Sequence, residues 1–236
     1  MKNIKEKIMK IVFMTAALVS IAAVVLICTF LFASGVPAIG KIGFLKFIFG
    51  MEWRPGNGIF GIFPMIIGSL YVTTGALIIG VPVGIFAAIY MAEFCPKWLY
   101  KIMKPAVNLM AGIPSVVYGF FGLVVIVPFI RNTFGGRGLS LLAASILLGL
   151  MILPTIISMT ETSIRAVPRS YYEGGLALGA SHERSVFFTV VPAAKSGIFA
   201  GVVLGIGRAI GETMAVMMVA GNQPVIPESL TDGVRT

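Results

Sequence analysis

Five long apolar runs, separated by short polar segments, set the pattern of this chain. Uncharged stretches cover 11–40, 55–92, 105–130 and 138–160. A fifth, 196–220, is apolar apart from Arg208 and Glu212. Each exceeds the ~20 residues that a helix needs to cross a bilayer. Strands of a membrane barrel would alternate polar and apolar residues. These runs do not alternate, so the pattern predicts helices over about 11–35, 60–92, 105–130, 139–160 and 196–220. Glycine and proline interrupt them, and Pro82 predicts a kink because it removes a backbone donor. Gly112-Ile113-Pro114-Ser115, Pro128 and Pro154 mark further breaks, which suit helices that line a wet cavity or move.

The polar segments complete the plan. Residues 1–10 form a basic tail. Residues 41–58 carry Trp53, placed as an interfacial anchor, and the turn cluster Arg54-Pro55-Gly56-Asn57-Gly58. The longest polar stretch is 161–195, where Pro168 is placed to open a short helix over Ser170–Ser181. Residues 221–236 read as an outer tail. The whole is one membrane domain, 11–220, with no soluble domain. A five-span chain whose tail is inside ends outside, so the expectation is a polypeptide cut before a sixth, returning helix.

Composition agrees, with 58% apolar and 11% charged residues. The net charge of +9 would point to nucleic acid in a soluble protein. Here orientation explains it, because cytoplasmic loops collect Lys and Arg. With the N-terminus inside, eleven of the 18 basic residues fall in the tail and in the 93–104 and 161–195 loops, and six fall outside. That places the chain in the cell membrane with a cytoplasmic N-terminus. The run over 11–32 is too long for the apolar part of a signal peptide and reads as a retained helix. Cys28 and Cys95 lie in opposite environments, which argues against a disulfide.

Catalytic chemistry finds little support. Gly35-Val-Pro-Ala-Ile-Gly40-Lys41 matches the start of a phosphate loop, but Ile42 stands where a magnesium-binding Ser or Thr is needed. Gly56-Asn57-Gly58-Ile59-Phe60-Gly61 lacks a strand–helix context. His182 is the lone histidine, so no metal set is expected and no Ser–His or Cys–His nucleophile. The chain reads as a non-enzyme.

Arg208 and Glu212 are the candidate substrate-path residues. Four apart, they share one face of a helix. A charge at that depth costs ~2.5–3.5 kcal/mol. Two readings compete: a mutually neutralising ion pair, or an anion site, for which the planar donor fork of arginine suits tetrahedral oxyanions. Glu212 would hold Arg208, or accept a proton-bearing phosphate oxygen while repelling sulfate. Gly197, Gly201, Gly205 and Ala209, and a second pair, Gly207 and Gly211, recur at the spacing that lets membrane helices approach closely.

The segment Glu173-Gly174-Gly175-Leu-Ala-Leu-Gly179, followed after nine further residues, of which Ala180 is the first, by Thr189-Val190-Val191-Pro192, resembles the cytoplasmic EAA–G–P loop of ABC importer membrane subunits. Glu173, Gly179 and Pro192 match. Gly174 and Gly175 replace two alanines, which costs up to ~2 kcal/mol of helix propensity that docking must offset. Glu52-Trp53-Arg54-Pro55 with Phe60-Gly61-Ile62-Phe63-Pro64, then Ala111-Gly112-Ile113-Pro114-Ser115-Val116-Val117-Tyr118-Gly119, and then Gly207-Arg208-Ala209-Ile210-Gly211-Glu212-Thr213-Met214-Ala215-Val216 resemble phosphate ABC transporter permeases of the PstC type. The resemblance implies an all-α type I ABC importer transmembrane domain with five of six helices present. It implies a permease subunit of an ATP-driven phosphate importer, with Glu173, Gly174, Gly175, Gly179, Ala180 and Pro192 coupling to the ATPase. The implied partners are a PstA-type sister permease, two PstB-type ATPase subunits that hold ATP and magnesium, and an external PstS-type phosphate-binding protein. No cofactor is implied in this chain. Permeases for sulfate or molybdate, an ATP-independent anion channel and a non-transporting membrane assembly protein are the alternatives.

Overall fold

The computed structural model describes residues 2–236, with side chains from residue 4 onward. Two compact units divide the chain at Phe63/Pro64.

The first unit opens with helix α1 (Lys2–Ile42), followed by α2 (Phe44–Phe49). The expected span at 11–35 lies inside α1, which continues through Pro37. A two-stranded antiparallel ladder, β1 (Trp53–Arg54) and β2 (Ile59–Phe60), closes the unit and pairs Trp53 with Phe60. The predicted turn cluster makes this hairpin, and Gly58 supplies the left-handed residue at φ 70° that a side chain would disfavour.

The second unit is organised around α7 (Leu141–Arg165). Small residues decide what packs on it. Helix α3 (Phe63–Ile89) lays Gly75, Gly80 and Gly84 against Ser145, Ile152 and Ile156 of α7. Helix α11 (Lys195–Gly211) lays Gly197, Gly201 and Gly205 against Ser163, Met159 and Ile156, where an added Cβ would come within 3.0 Å or less. Without a hydrophobic driving force in lipid, such close backbone approach is what holds helices together. The first predicted glycine stripe is therefore a helix seam. The second, Gly207 and Gly211, meets no neighbouring helix among the described residues.

Three predicted spans differ in detail. The expected span at 60–92 is α3, which includes Pro82, and a π-turn at Tyr90–Phe94. The expected span at 105–130 is two helices. One is α4 (Lys97–Gly112). The other runs from α5 (Ser115–Phe121) through a π-turn at Gly122–Ile126 into α6 (Val127–Phe134). Pro114 forces the break, because a residue before proline is pushed out of the helical region, and Ile113 is extended at ψ 127°. The Tyr118 hydroxyl donates to the Met110 carbonyl at 2.9 Å across the break. The expected span at 196–220 also breaks, into α11 and α12 (Met214–Val219), with extended backbone at Glu212. Upstream, the segment His182–Ala193 meets Lys195–Gly211 at 68°. Among the described residues, four helices are long and apolar enough to cross a membrane, or five with this bent pair counted as one span.

Residues 221–236 fold back onto the start of α7. The Asp232 and Leu230 carbonyls accept the Leu141 and Leu142 amides at 2.8 and 2.9 Å, and buried Ser140 accepts the Ala143 amide. The segment thus satisfies amides that a helix start leaves without intrahelical partners.

Candidate functional site

The α7–α11 seam sets where Arg208 points. Ala209 is buried in the seam, and Arg208 beside it is half-buried. Its Nη1 donates to the Thr155 hydroxyl of α7 at 3.3 Å, its one hydrogen bond among the described residues. A neutral hydroxyl at that distance offsets little of the cost of a charge inside a membrane. Most of the guanidinium's five donors remain available to an oxyanion.

Glu212 does not share a helical face with Arg208. Helix α11 stops at Gly211, Glu212 is extended at φ −83°, ψ 114°, and its Oε1 accepts the Ala215 amide at 3.1 Å. The carboxylate therefore caps α12, and no ion pair joins it to Arg208 among the described residues. The four-residue spacing counted on one unbroken helix. Glu212 instead borders a crevice of about 70 Å³ with Ser69, Thr73 and Thr213.

At the other end of the seam lies the predicted coupling segment. Helix α8 (Arg169–Ala177) is shorter than the expected Ser170–Ser181. Gly179 ends it, at φ 81°. Its amide donates to the Leu176 carbonyl at 2.9 Å and the Ala180 amide to the Gly175 carbonyl at 3.1 Å. That pair of bonds is a Schellman cap, which needs a left-handed residue and so favours glycine. The two glycines that replace alanines differ. Gly174 faces open space, whereas a Cβ on Gly175 would sit 2.7 Å from Ser185 Oγ. Close packing inside the chain therefore requires Gly175. Glu173 is exposed on α8, and Pro192 is exposed in α10 (Val191–Ala193), just before the 68° bend. Between them, α9 (His182–Ser185) is anchored by His182. Its Nδ1 lies 2.9 Å from the Tyr172 hydroxyl, and its ring meets Phe94 edge-on at 4.8 Å. Leu178, 92% exposed, and Phe188, 78% exposed, project from this segment.

The structure adds a cluster that sequence reasoning missed. Glu161 is buried near the end of α7. It accepts from the Tyr100 hydroxyl at 2.6 Å, Lys104 Nζ at 2.7 Å and Arg165 Nε at 2.9 Å. Arg165 also donates to the Met91 carbonyl at 3.0 Å and lies over the Tyr100 ring at 4.7 Å. The cluster clamps α4 and the π-turn Tyr90–Phe94 to α7. The hydrogen bond to Glu161, then burial, raises the Tyr100 pKa. One signal was present: Glu161 and Arg165 are four apart at the end of an apolar run. Tyr100 and Lys104, about sixty residues away in the chain, carried none.

Comparison with known proteins places this architecture. Residues 80–232 match the family described as binding-protein-dependent transport system inner membrane component. That stretch contains α8, the Glu161 cluster and Arg208. A probable ABC transporter permease protein, YqgH, of Bacillus subtilis (strain 168) is 43% identical over 225 residues, covering 93% of this chain and 73% of that protein. The phosphate transport system permease protein PstC of Mesorhizobium japonicum is 36% identical over 220 residues, covering 85% of this chain and 67% of that protein. PstC 1 of Mycobacterium tuberculosis is 35% identical over 217 residues, covering 77% and 64%. Against these three, the chain spans from just under two thirds to nearly three quarters of the relative's length. The chain belongs to the binding-protein-dependent transport system inner membrane component family: it is an all-α, multi-pass membrane permease component of the ABC transporter class and not itself a catalyst.

Proposed function

We propose that the chain is the PstC-type membrane subunit of an ATP-driven inorganic phosphate importer, with Arg208 on the translocation path. The observation that carries this reading is the half-buried Arg208 guanidinium, held by a single neutral hydroxyl on the helix that follows, through one bend, the His182–Ala193 segment next to α8. An arginine so placed offers a transient oxyanion site that is strong enough to attract and weak enough to release. Three PstC phosphate permeases are among its relatives at 33–36% identity.

In this reading, a PstA-type sister permease completes the path, and an external PstS-type protein delivers phosphate. Two PstB-type subunits bind ATP and magnesium and carry out hydrolysis, and no cofactor resides in this chain. The N-terminus is cytoplasmic, so α8 faces the ATPase. Closure of the ATPase dimer would displace α8, with Glu173 and Leu178 at the contact, and the bend at Ala194 would pass the motion into α11 and Arg208. Gly179 and Pro192 act by shaping the segment rather than by contact.

Reconstitution of the full complex and measurement of ATP-dependent uptake of labelled phosphate, with sulfate as competitor, tests the reading. Wild-type uptake by an Arg208→Ala complex would refute it. Uptake without ATP would make the protein a channel. The second reading, a permease for sulfate or molybdate, draws on the same guanidinium, which does not by itself distinguish oxyanions. Glu212→Gln addresses selectivity. Oε1 caps α12, which leaves the other carboxylate oxygen to accept a phosphate proton. Unchanged preference for phosphate over sulfate in that variant would restrict Glu212 to its capping role.

A further inference from the structure

A second basic site lies at the root of α8, far along the chain from Arg208. A cavity of about 140 Å³ opens between the π-turn after α3, the end of α7 and the start of α8. Glu93, Arg165, Arg169 and Tyr172 supply its polar wall, with Pro168 and Val190 beside them. Arg165 is oriented in advance. Its Nε is bonded to Glu161 and one terminal nitrogen to the Met91 carbonyl, which leaves Nη1 without a hydrogen bond among the described residues. Neither Arg169 nor Glu93 makes a hydrogen bond or ion pair among the described residues. Helix α8 begins at the same wall with no side-chain cap, so its first amides add donors.

Two guanidiniums call for an oxyanion. The carboxylate of Glu93 decides which kind. An ionised carboxylate only accepts hydrogen bonds, so it repels an oxyanion without a proton and receives one that carries a proton. Near neutral pH inorganic phosphate keeps a proton, whereas sulfate and the phosphodiester of a lipid headgroup do not. We propose that this cavity binds inorganic phosphate on the α8 side of the membrane, between Arg165, Arg169 and Glu93, and that occupancy ties α8 to α7 and slows coupling. The released cargo would thus restrain its own import. The site deepens the proposed phosphate function and rests on it for that physiological meaning.

The experiment uses the complete complex, with its ATPase subunits, in nanodiscs of phosphatidylcholine. ATP hydrolysis is titrated with inorganic phosphate and, separately, with sulfate, for wild type, Arg169→Ala and Glu93→Gln. The ATPase subunits are identical throughout, so their own product inhibition is common to all three. Loss of one charge-assisted contact should raise the phosphate concentration for half-inhibition by roughly tenfold in Arg169→Ala. Sulfate should leave wild type unaffected and inhibit Glu93→Gln. Equal phosphate sensitivity in wild type and Arg169→Ala overturns the site. So does undiminished phosphate-over-sulfate discrimination in Glu93→Gln, a variant that leaves α8 unaltered. Slowing that appears only when phosphatidylglycerol replaces phosphatidylcholine, and that Arg169→Ala removes, assigns the cavity to a lipid headgroup and overturns the phosphate assignment. Labelled-phosphate uptake by wild type separates the two claims: an importer with Arg169-independent inhibition keeps its function and loses this site.

Discussion

Helix α7 meets an arginine at two levels, Arg165 at its C-terminal end and Arg208 beside Thr155 near its middle, and the two levels treat charge in opposite ways. At the Glu161 end, a buried carboxylate meets three donors at 2.6–2.9 Å, drawn from α4 and α7. Beside Thr155, a half-buried guanidinium has one neutral contact at 3.3 Å, and the helix that holds it breaks four residues later. A buried carboxylate held by three donors is a fixed structure, because loss of a partner leaves a charge unpaired. A guanidinium with spare donors beside a broken helix is a position from which something can be bound and released. The contrast separates a clamp from a proposed working site along one helix.

Substitution at Glu161 should produce the largest change. Glu161→Ala strands two cations and a hydroxyl. Because Lys104 and Arg165 are partly solvated, the loss is expected near the lower end for a broken buried pair, about 3 kcal/mol, read by denaturant unfolding of the purified complex. A loss under about 1 kcal/mol would dissolve the distinction between the two sites. Gly179→Ala comes next. Its φ of 81° costs a side chain about 1–2 kcal/mol. The variant should fray α8 and uncouple ATP hydrolysis from transport, whereas Gly174→Ala, which meets open space, should leave coupling intact. Normal coupling in both would end the assignment of α8 as the docking element.

Tyr100→Phe removes one hydrogen bond of the clamp and should cost about 1 kcal/mol. Its pH dependence sharpens the test. The Tyr100 pKa is raised in the folded chain, so its contribution is complete below the ordinary value of 10.0 and lost as pH rises through the higher folded value. Wild type should therefore lose stability at alkaline pH more steeply than Tyr100→Phe. The smallest stability change belongs to Arg208→Ala, within about 1 kcal/mol, since a single weak bond disappears along with a costly charge. Its uptake should nevertheless fall by roughly tenfold or more. A large stability loss would show that Arg208 is structural after all.

Much of this was legible one residue at a time. Uninterrupted apolar runs announced the helices, and the Gly197–Ala209 spacing announced the seam. Glu173, Gly179 and Pro192 marked the segment proposed to couple to the ATPase. Gly179 shows why such a motif is readable: a left-handed helix cap is a local demand that glycine meets best. The Gly174–Gly175 pair was only half-readable, because the reason for Gly175 is Ser185, ten residues on and across a turn. The predicted Arg208–Glu212 face failed for a related cause. Helical spacing holds only while the helix continues, and the extended backbone at Glu212 ended it.

The amino-acid order alone determined that this chain occupies a membrane and which stretches are helical. Those properties follow from solvent preference and local backbone geometry, and both act over a few neighbouring residues. The Glu161 clamp, the cavity at the root of α8 and the separation of Arg208 from Glu212 were decided by tertiary structure. Each depends on where distant segments come to lie, and a charge's worth is set by the partners and water around it, which no local stretch of sequence specifies.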